Sequence, residues 1–180
     1  MRERLAAALV VVVGASVPAA AWHDASPNLR RVTDAVWVGG QPSGDDLALL
    51  CGAGVRTVVD LRQPLEHDID AERLAAERLG MSFVNVPVRA EAPEDGAADA
   101  FLAATSRAEA FPILVHCASG NRAAAFWMIR RLVVDRWSAD AAESEARRVG
   151  LRSAALRDFA LDYASRRLGG GKDAAGTEEP

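Results

Sequence analysis

Six consecutive residues, Cys117-Ala118-Ser119-Gly120-Asn121-Arg122, place a thiol and a guanidinium at the two ends of a run of short side chains. The apolar run Ile113-Leu114-Val115 precedes them, and Ala123, Phe126, Trp127, Ile129, Leu132 and Val133 follow at helical spacing. That order predicts a buried strand, a tight turn and a helix. Small residues let the turn curl until its backbone N–H groups point inward, and the first helical turn adds amides with no intrahelical partner. Arg122 contributes a planar two-pronged donor. These parts make an anion site, and the field that holds an anion also favours thiolate over thiol at Cys117. His116 alternates to the opposite side of the strand, where it braces the loop rather than taking the thiol proton.

The rest of the chain must position this junction. Ala35 to Val38 reads as a strand stopped by Gly39-Gly40, and Ser43 caps the next helix with Asp46 as reciprocal partner. Leu47, Leu49 and Leu50 form that helix's apolar side before Gly52 and Gly54 end it. Val55 to Leu61 has the β-branched density of a strand covered on both faces, with Gln63-Pro64 marking the loop beyond it. A helix follows over Ile69 to Leu79, with Leu74, Ala75 and Leu79 expected inward and Glu72, Arg73, Glu77 and Arg78 outward. Met81 to Val88 is the next strand, then an acidic loop from Arg89 to Asp99 and a helix over Ala97 to Ala110. Two more helices, near Ser138 to Val149 and Leu151 to Arg167, close the domain, the second packing through Leu156, Phe159, Ala160 and Tyr163. The alternation of strands with longer alanine-rich segments indicates one α/β layer fold.

The 180 residues, half of them hydrophobic and with a formal charge of -4, suit one folded domain and exclude a disordered or collagen-like chain. The absence of a Lys/Arg-rich block leaves no electrostatic footprint for nucleic acid. Two cysteines are too few for a disulfide framework. Cys51, at a helix end after Leu49-Leu50, is expected to be an inert buried thiol. Residues 1–21 carry arginines, an apolar run and small residues in the order of a secretory leader, with cleavage expected after Ala19 or Ala21. The mature chain is then an exported, periplasmic or secreted protein without stable membrane association. Residues 169–180 read as a flexible tail, leaving a domain over 29–168.

The run His116-Cys117 to Arg122 resembles the phosphate loop of cysteine-dependent protein phosphatases. Together with Val38-Gly39-Gly40-Gln41-Pro42-Ser43, Gly52 to Arg62 and Phe83 to Val88, it resembles the bacterial dual-specificity-phosphatase-like domains, a group also found fused to beta-lactamase-like hydrolases. The resemblance implies a three-layer α/β fold with a mostly parallel sheet of about four or five strands flanked by helices. It implies a phosphocysteine intermediate on Cys117, phosphate held by the amides of Ala118, Ser119, Gly120, Asn121 and Arg122, no metal and no cofactor. The substrate is then a phosphorylated protein or a small phosphorylated molecule. The mechanism needs a carboxyl acid, which Asp95 in the acidic loop is expected to supply, with Glu94, Glu91 and Asp99 as competitors. Arg62 and Arg89 lie beyond strand ends, the side on which open α/β folds bind ligands, and add positive potential to the mouth. Gln41 belongs to the shared motif or fixes a turn. Four residues separate Cys117 from Arg122, whereas the usual phosphatase loop encloses five. The shorter loop also resembles that of rhodanese-like sulfurtransferases, in which Cys117 would carry a persulfide, and an anion-binding module without catalysis is a third reading.

Overall fold

The computed structural model describes residues 28–66 and 68–169. The expected leader lies outside them, as does the expected tail beyond Gly169. Among the described residues the chain runs β1 (Leu29–Thr33), β2 (Val36–Gly39), α1 (Gly44–Gly52), β3 (Thr57–Asp60), α2 (Ile69–Arg78), β4 (Ser82–Asn85), α3 (Asp95–Ala104), β5 (Ile113–His116), α4 (Asn121–Val133), α5 (Ala139–Val149) and α6 (Ala154–Gly169). The five strands form one sheet in the order β1-β2-β5-β3-β4. Every pair is parallel except β1 with β2. This is the mostly parallel α/β sheet that the resemblance implied.

The β-strand period of two divides the sheet residues between two apolar layers. Val36, Val38, Val59, Ile113 and Val115 pack with residues of α3, α4, α5 and α6. Their neighbours Trp37, Val58 and Leu114 pack on the other face with Leu47, Leu50 and Ala76 of α1 and α2. Strand β5 lies between β2 and β3, so all four of its residues are buried. The helix that follows is buried nearly all round, and Ala123 through Ile129 pack between the sheet and the last two helices. The turn between β5 and α4 therefore projects from the best-packed part of the molecule.

Local signals account for most boundaries. Ser43 Oγ accepts from Asp46 N–H at 3.1 Å and Asp46 accepts from Ser43 N–H at 2.8 Å, a reciprocal cap on α1. The helix expected over Ala97 to Ala110 instead runs Asp95–Ala104, and a single 3-10 turn, Ala108–Ala110, follows. Thr105 Oγ1 donates to the Phe101 carbonyl at 2.9 Å where α3 stops. In α2 the inward face differs from expectation: Ile69, Glu72 and Ala76 are buried, while Leu74 is 51% exposed. Glu72 turns inward because the buried Arg62 guanidinium donates to it there.

Candidate active site

The loop begins where β5 ends. Cys117 N–H donates to the Gly39 carbonyl at 3.2 Å, and Gln41 N–H donates to the Ala118 carbonyl at 3.1 Å, so the end of β2 supports the outgoing loop. Gln41 thus fixes the turn through its backbone. Gly120 adopts φ +87°, and a Cβ there would lie 3.1 Å from the Gly39 carbonyl carbon. Both the left-handed backbone and the close approach require glycine. This turn directs Gly120 N–H to Cys117 Sγ at 3.2 Å. Gly120 is the N-cap of α4 and no side chain caps the helix, so the amides of its first turn remain on the loop side. Asn121 Oδ1 accepts N–H bonds from Arg152 at 2.9 Å and Ser153 at 3.2 Å. Its side chain anchors the loop to the α5–α6 turn, leaving its backbone amide for an anion.

Arg122 crosses the mouth. Nη1 donates to the carbonyls of Val88 at 2.9 Å and Leu61 at 3.3 Å, tying it to the chain leaving both β3 and β4. Both terminal nitrogens also donate to the Glu66 carboxylate, a bidentate pair. Gln63, Leu65, Glu66, Ala90, Glu91 and Arg122 line an open cavity of about 350 Å³. The Arg122 guanidinium holds the Glu66 carboxyl below the usual carboxylate range. In return, Glu66 first and then Cys117 hold Arg122 in its charged form, against the opposing effect of burial.

Behind the loop lies a buried charged cluster. Arg62 donates to Asp60 through Nε and Nη2, each at 2.9 Å, and to Glu72 through Nη2 at 2.7 Å. His116 Nε2 lies 2.8 Å from Glu72 Oε1, at ion-pair distance but without hydrogen-bond alignment. His116 Nδ1 is 3.4 Å from the Cys117 carbonyl oxygen. His116 therefore braces the loop. Arg62 does not reach the mouth: its side chain is fully buried, and its charge compensates two carboxylates under the loop. Asp60, Glu72 and His116 offer three ligand atoms within 4.8 Å of one another, but the Arg62 guanidinium already supplies the cation between the two acids.

The acidic loop is distributed differently from expectation. Asp95, the expected acid, sits at the start of α3 and pairs with Arg166 of α6. That arginine holds Asp95 below its ordinary value, the opposite of what a proton donor at neutral pH needs. Glu94 is paired with Arg89, whose charge is thereby committed to the acidic loop. Asp99 accepts from Tyr163 Oη at 2.7 Å. Glu91 is the acidic-loop carboxylate that lines the cavity with Arg122. Cys51 is half-buried rather than buried, and its Sγ lies 3.2 Å from the Leu79 carbonyl, to which it donates. Sequence reasoning missed Glu66 and Glu72. Glu66 follows Gln63-Pro64 on the ligand-binding side of the sheet, and Glu72 shares a helical face with Ile69 and Ala76. Both positions were therefore available as signals.

The profile of a family described as "DSP-PTPase phosphatase fused to NAD+ Kinase" matches residues 15–160. A beta-lactamase hydrolase-like protein of Xylella fastidiosa is 29% identical over 117 residues, 63% of this chain and 27% of that protein. The dual specificity protein phosphatase TpbA of Pseudomonas aeruginosa is 30% identical over 129 residues, 71% of this chain and 56% of TpbA. This chain thus spans about a quarter of the first relative and about half of the second. The crystal structure of a Cys-to-Ser variant of TpbA in complex with phosphotyrosine superimposes with a TM-score of 0.64 at 27% identity, covering 81% of this chain and 91% of that one. Tk-PTP in its active form shares the fold at 19% identity, with a TM-score of 0.65 over 79% of this chain and 99% of that one.

Proposed function

This chain belongs to the DSP-PTPase phosphatase family, and we propose on that premise that it hydrolyses phosphomonoesters through Cys117. The observation that carries the reading is the Cys117–Arg122 loop, with Gly120 N–H on the sulfur and an uncapped helix start beneath it. The Cys117 thiolate attacks phosphorus in line as the bond to the leaving oxygen breaks. The amides of 118–122 and the Arg122 fork hold the remaining phosphoryl oxygens, with Glu66 yielding its place on the fork. Glu91 replaces Asp95 as the proposed acid: it protonates the leaving oxygen, and its carboxylate then takes a proton from water attacking the phosphocysteine. Breaking the S–P bond returns the thiolate and releases phosphate. The phosphotyrosine bound to the TpbA variant makes aryl phosphates the first substrates to try.

Purified protein assayed on p-nitrophenyl phosphate should release phosphate, and Cys117→Ser should abolish the release. Arg122→Ala should lower kcat by about 10²–10³, the range for removing one preorganised donor to developing charge. Glu91→Gln should lower it by about 10² and remove the alkaline limb of the kcat–pH profile, as expected when a general acid is lost. Activity unaffected by Cys117→Ser would overturn the reading. The four-residue spacing supports sulfur transfer as the second reading, so the same preparations belong in a thiosulfate-to-cyanide assay. Cys117-dependent thiocyanate formation without phosphate release would select it. Export rests on the leader-like order of residues 1–21, and the mature N-terminal mass after expression in a bacterial host tests it. Among the described residues no helix is long and apolar enough to cross a membrane.

A further inference from the structure

The period of the strands puts Asp60 of β3 and His116 of β5 side by side on one face of the sheet, the face that carries Val58 and Leu114. Helices α1 and α2 cover that face. Glu72 enters it from α2. Its charged neighbours Asp70, Glu77 and Arg78 are exposed, whereas Glu72 is buried. The carboxylate is divided between two partners. Oε2 accepts from Arg62 Nη2 at 2.7 Å, and Oε1 stands 2.8 Å from His116 Nε2.

Arg62 alone does not account for this buried acid. Asp60 accepts from Arg62 Nε and Nη2 at 2.9 Å each, a neutral bidentate pair with both side chains fully buried. A third buried charge adds desolvation cost, which a further contact must offset. His116 supplies that contact. At the other edge of the ring, Nδ1 is 3.4 Å from the Cys117 carbonyl oxygen. That carbonyl shares its peptide group with the Ala118 N–H, the first amide of the loop. In a planar trans peptide the C=O and N–H point in opposite directions. Holding the carbonyl towards His116, behind the loop, therefore turns the Ala118 N–H away from the buried cluster.

We infer that Glu72 is a positioning residue for the chemistry of Cys117: acting through His116, it sets the Cys117–Ala118 peptide so that the Ala118 N–H serves an anion at the sulfur. Its part in turnover rests on the proposed phosphatase reading. Its part in orienting the amide does not.

The test reads the grip of the loop on an anion with and without turnover. Iodoacetate and iodoacetamide both alkylate the thiolate, so the ratio of their rates at Cys117 cancels the thiolate fraction and reports recognition of the carboxylate. Peptide mapping separates Cys117 from Cys51. Glu72→Gln should lower the iodoacetate-to-iodoacetamide ratio about fivefold, the weight of one hydrogen bond. Removing a buried negative charge would by itself raise that ratio, so a fall reports the amide. In a His116→Asn background the same substitution should change the ratio by less than about twofold, because residues acting through one another are not additive. On p-nitrophenyl phosphate, Glu72→Gln should lower kcat about tenfold, less than the loss of a whole oxyanion donor. An unchanged or raised ratio in Glu72→Gln protein, or an equal loss with and without His116, overturns the role, even where the urea midpoint falls. Glu72→Met keeps the neutral Asp60–Arg62 pair and takes the place of Glu72→Gln where circular dichroism shows that variant unfolded. Failure of both to fold assigns Glu72 to stability alone and also overturns the role. Where wild type shows no Cys117-dependent hydrolysis but the ratio still falls in Glu72→Gln, the phosphatase reading falls alone and the positioning role is supported.

Discussion

In the proposed mechanism a phosphoryl group needs the two nitrogens of Arg122 that donate to Glu66 in this structure. The Glu66 side chain is 32% exposed, so the pair is discounted for solvent and is worth about 0.5–1 kcal/mol. Replacing it by Glu66→Gln should lower KM for p-nitrophenyl phosphate about two- to fivefold, the same energy released to substrate. A rise in KM would instead assign Glu66 to holding the fork open for substrate. The pair also has a pH signature. Arg122 lowers the folded-state pKa of Glu66, so its stabilisation is complete above the unfolded carboxyl's titration range and is lost as pH falls through the lower folded value. Between neutral pH and pH ~3, the urea midpoint should fall less in Glu66→Gln protein than in wild type. Measuring both midpoints at each pH checks the sign.

At the scale of elements, the site depends on one turn and the strand ends that abut it. Gly120→Ala places a side chain at φ +87° and 3.1 Å from the Gly39 backbone. It should cost about 1–3 kcal/mol in urea unfolding, the usual strain of a disfavoured backbone conformation. Activity should fall further than that loss implies, because the displaced amide is the one on Cys117 Sγ. The strand–turn–helix order here was legible because Ile113-Leu114-Val115, Gly120 and the apolar helix are contiguous. Strand β1 was missed because Leu29–Thr33 carries two arginines and pairs antiparallel along a single edge, which leaves a weak apolar pattern. The phase of α2 was misread for another reason. Glu72 is drawn inward by Arg62 and His116, partners set beside it by the sheet rather than by its own helix. Along the chain Asp95 lies in the acidic loop beyond β4, whereas its partner Arg166 comes from the far end of the domain. Contacts between distant segments are the part that a linear reading lacked.

At the scale of the whole molecule, α4 joins the chemistry to the core. Phe126 is fully buried, edge-on to Phe101 at 5.7 Å and stacked on Phe159 at 6.1 Å between ring centres. Phe126→Ala should cost about 3–5 kcal/mol, a large part of the 5–15 kcal/mol typical of a domain. Thermal unfolding by circular dichroism measures it, and a loss under 1 kcal/mol would contradict the packing described. The sheet order carries one more consequence. Strand β5 is the last strand along the chain, yet it sits between β2 and β3. The sheet is not continuous until this late segment has wedged between two partners formed far upstream. Such non-local parallel pairing carries a high loop-closure cost and slows folding. Since Cys117 leaves directly from β5, no partly folded species lacking that strand should turn over substrate. During refolding from urea, regain of hydrolysis should coincide with the final change in tryptophan fluorescence and show no earlier phase.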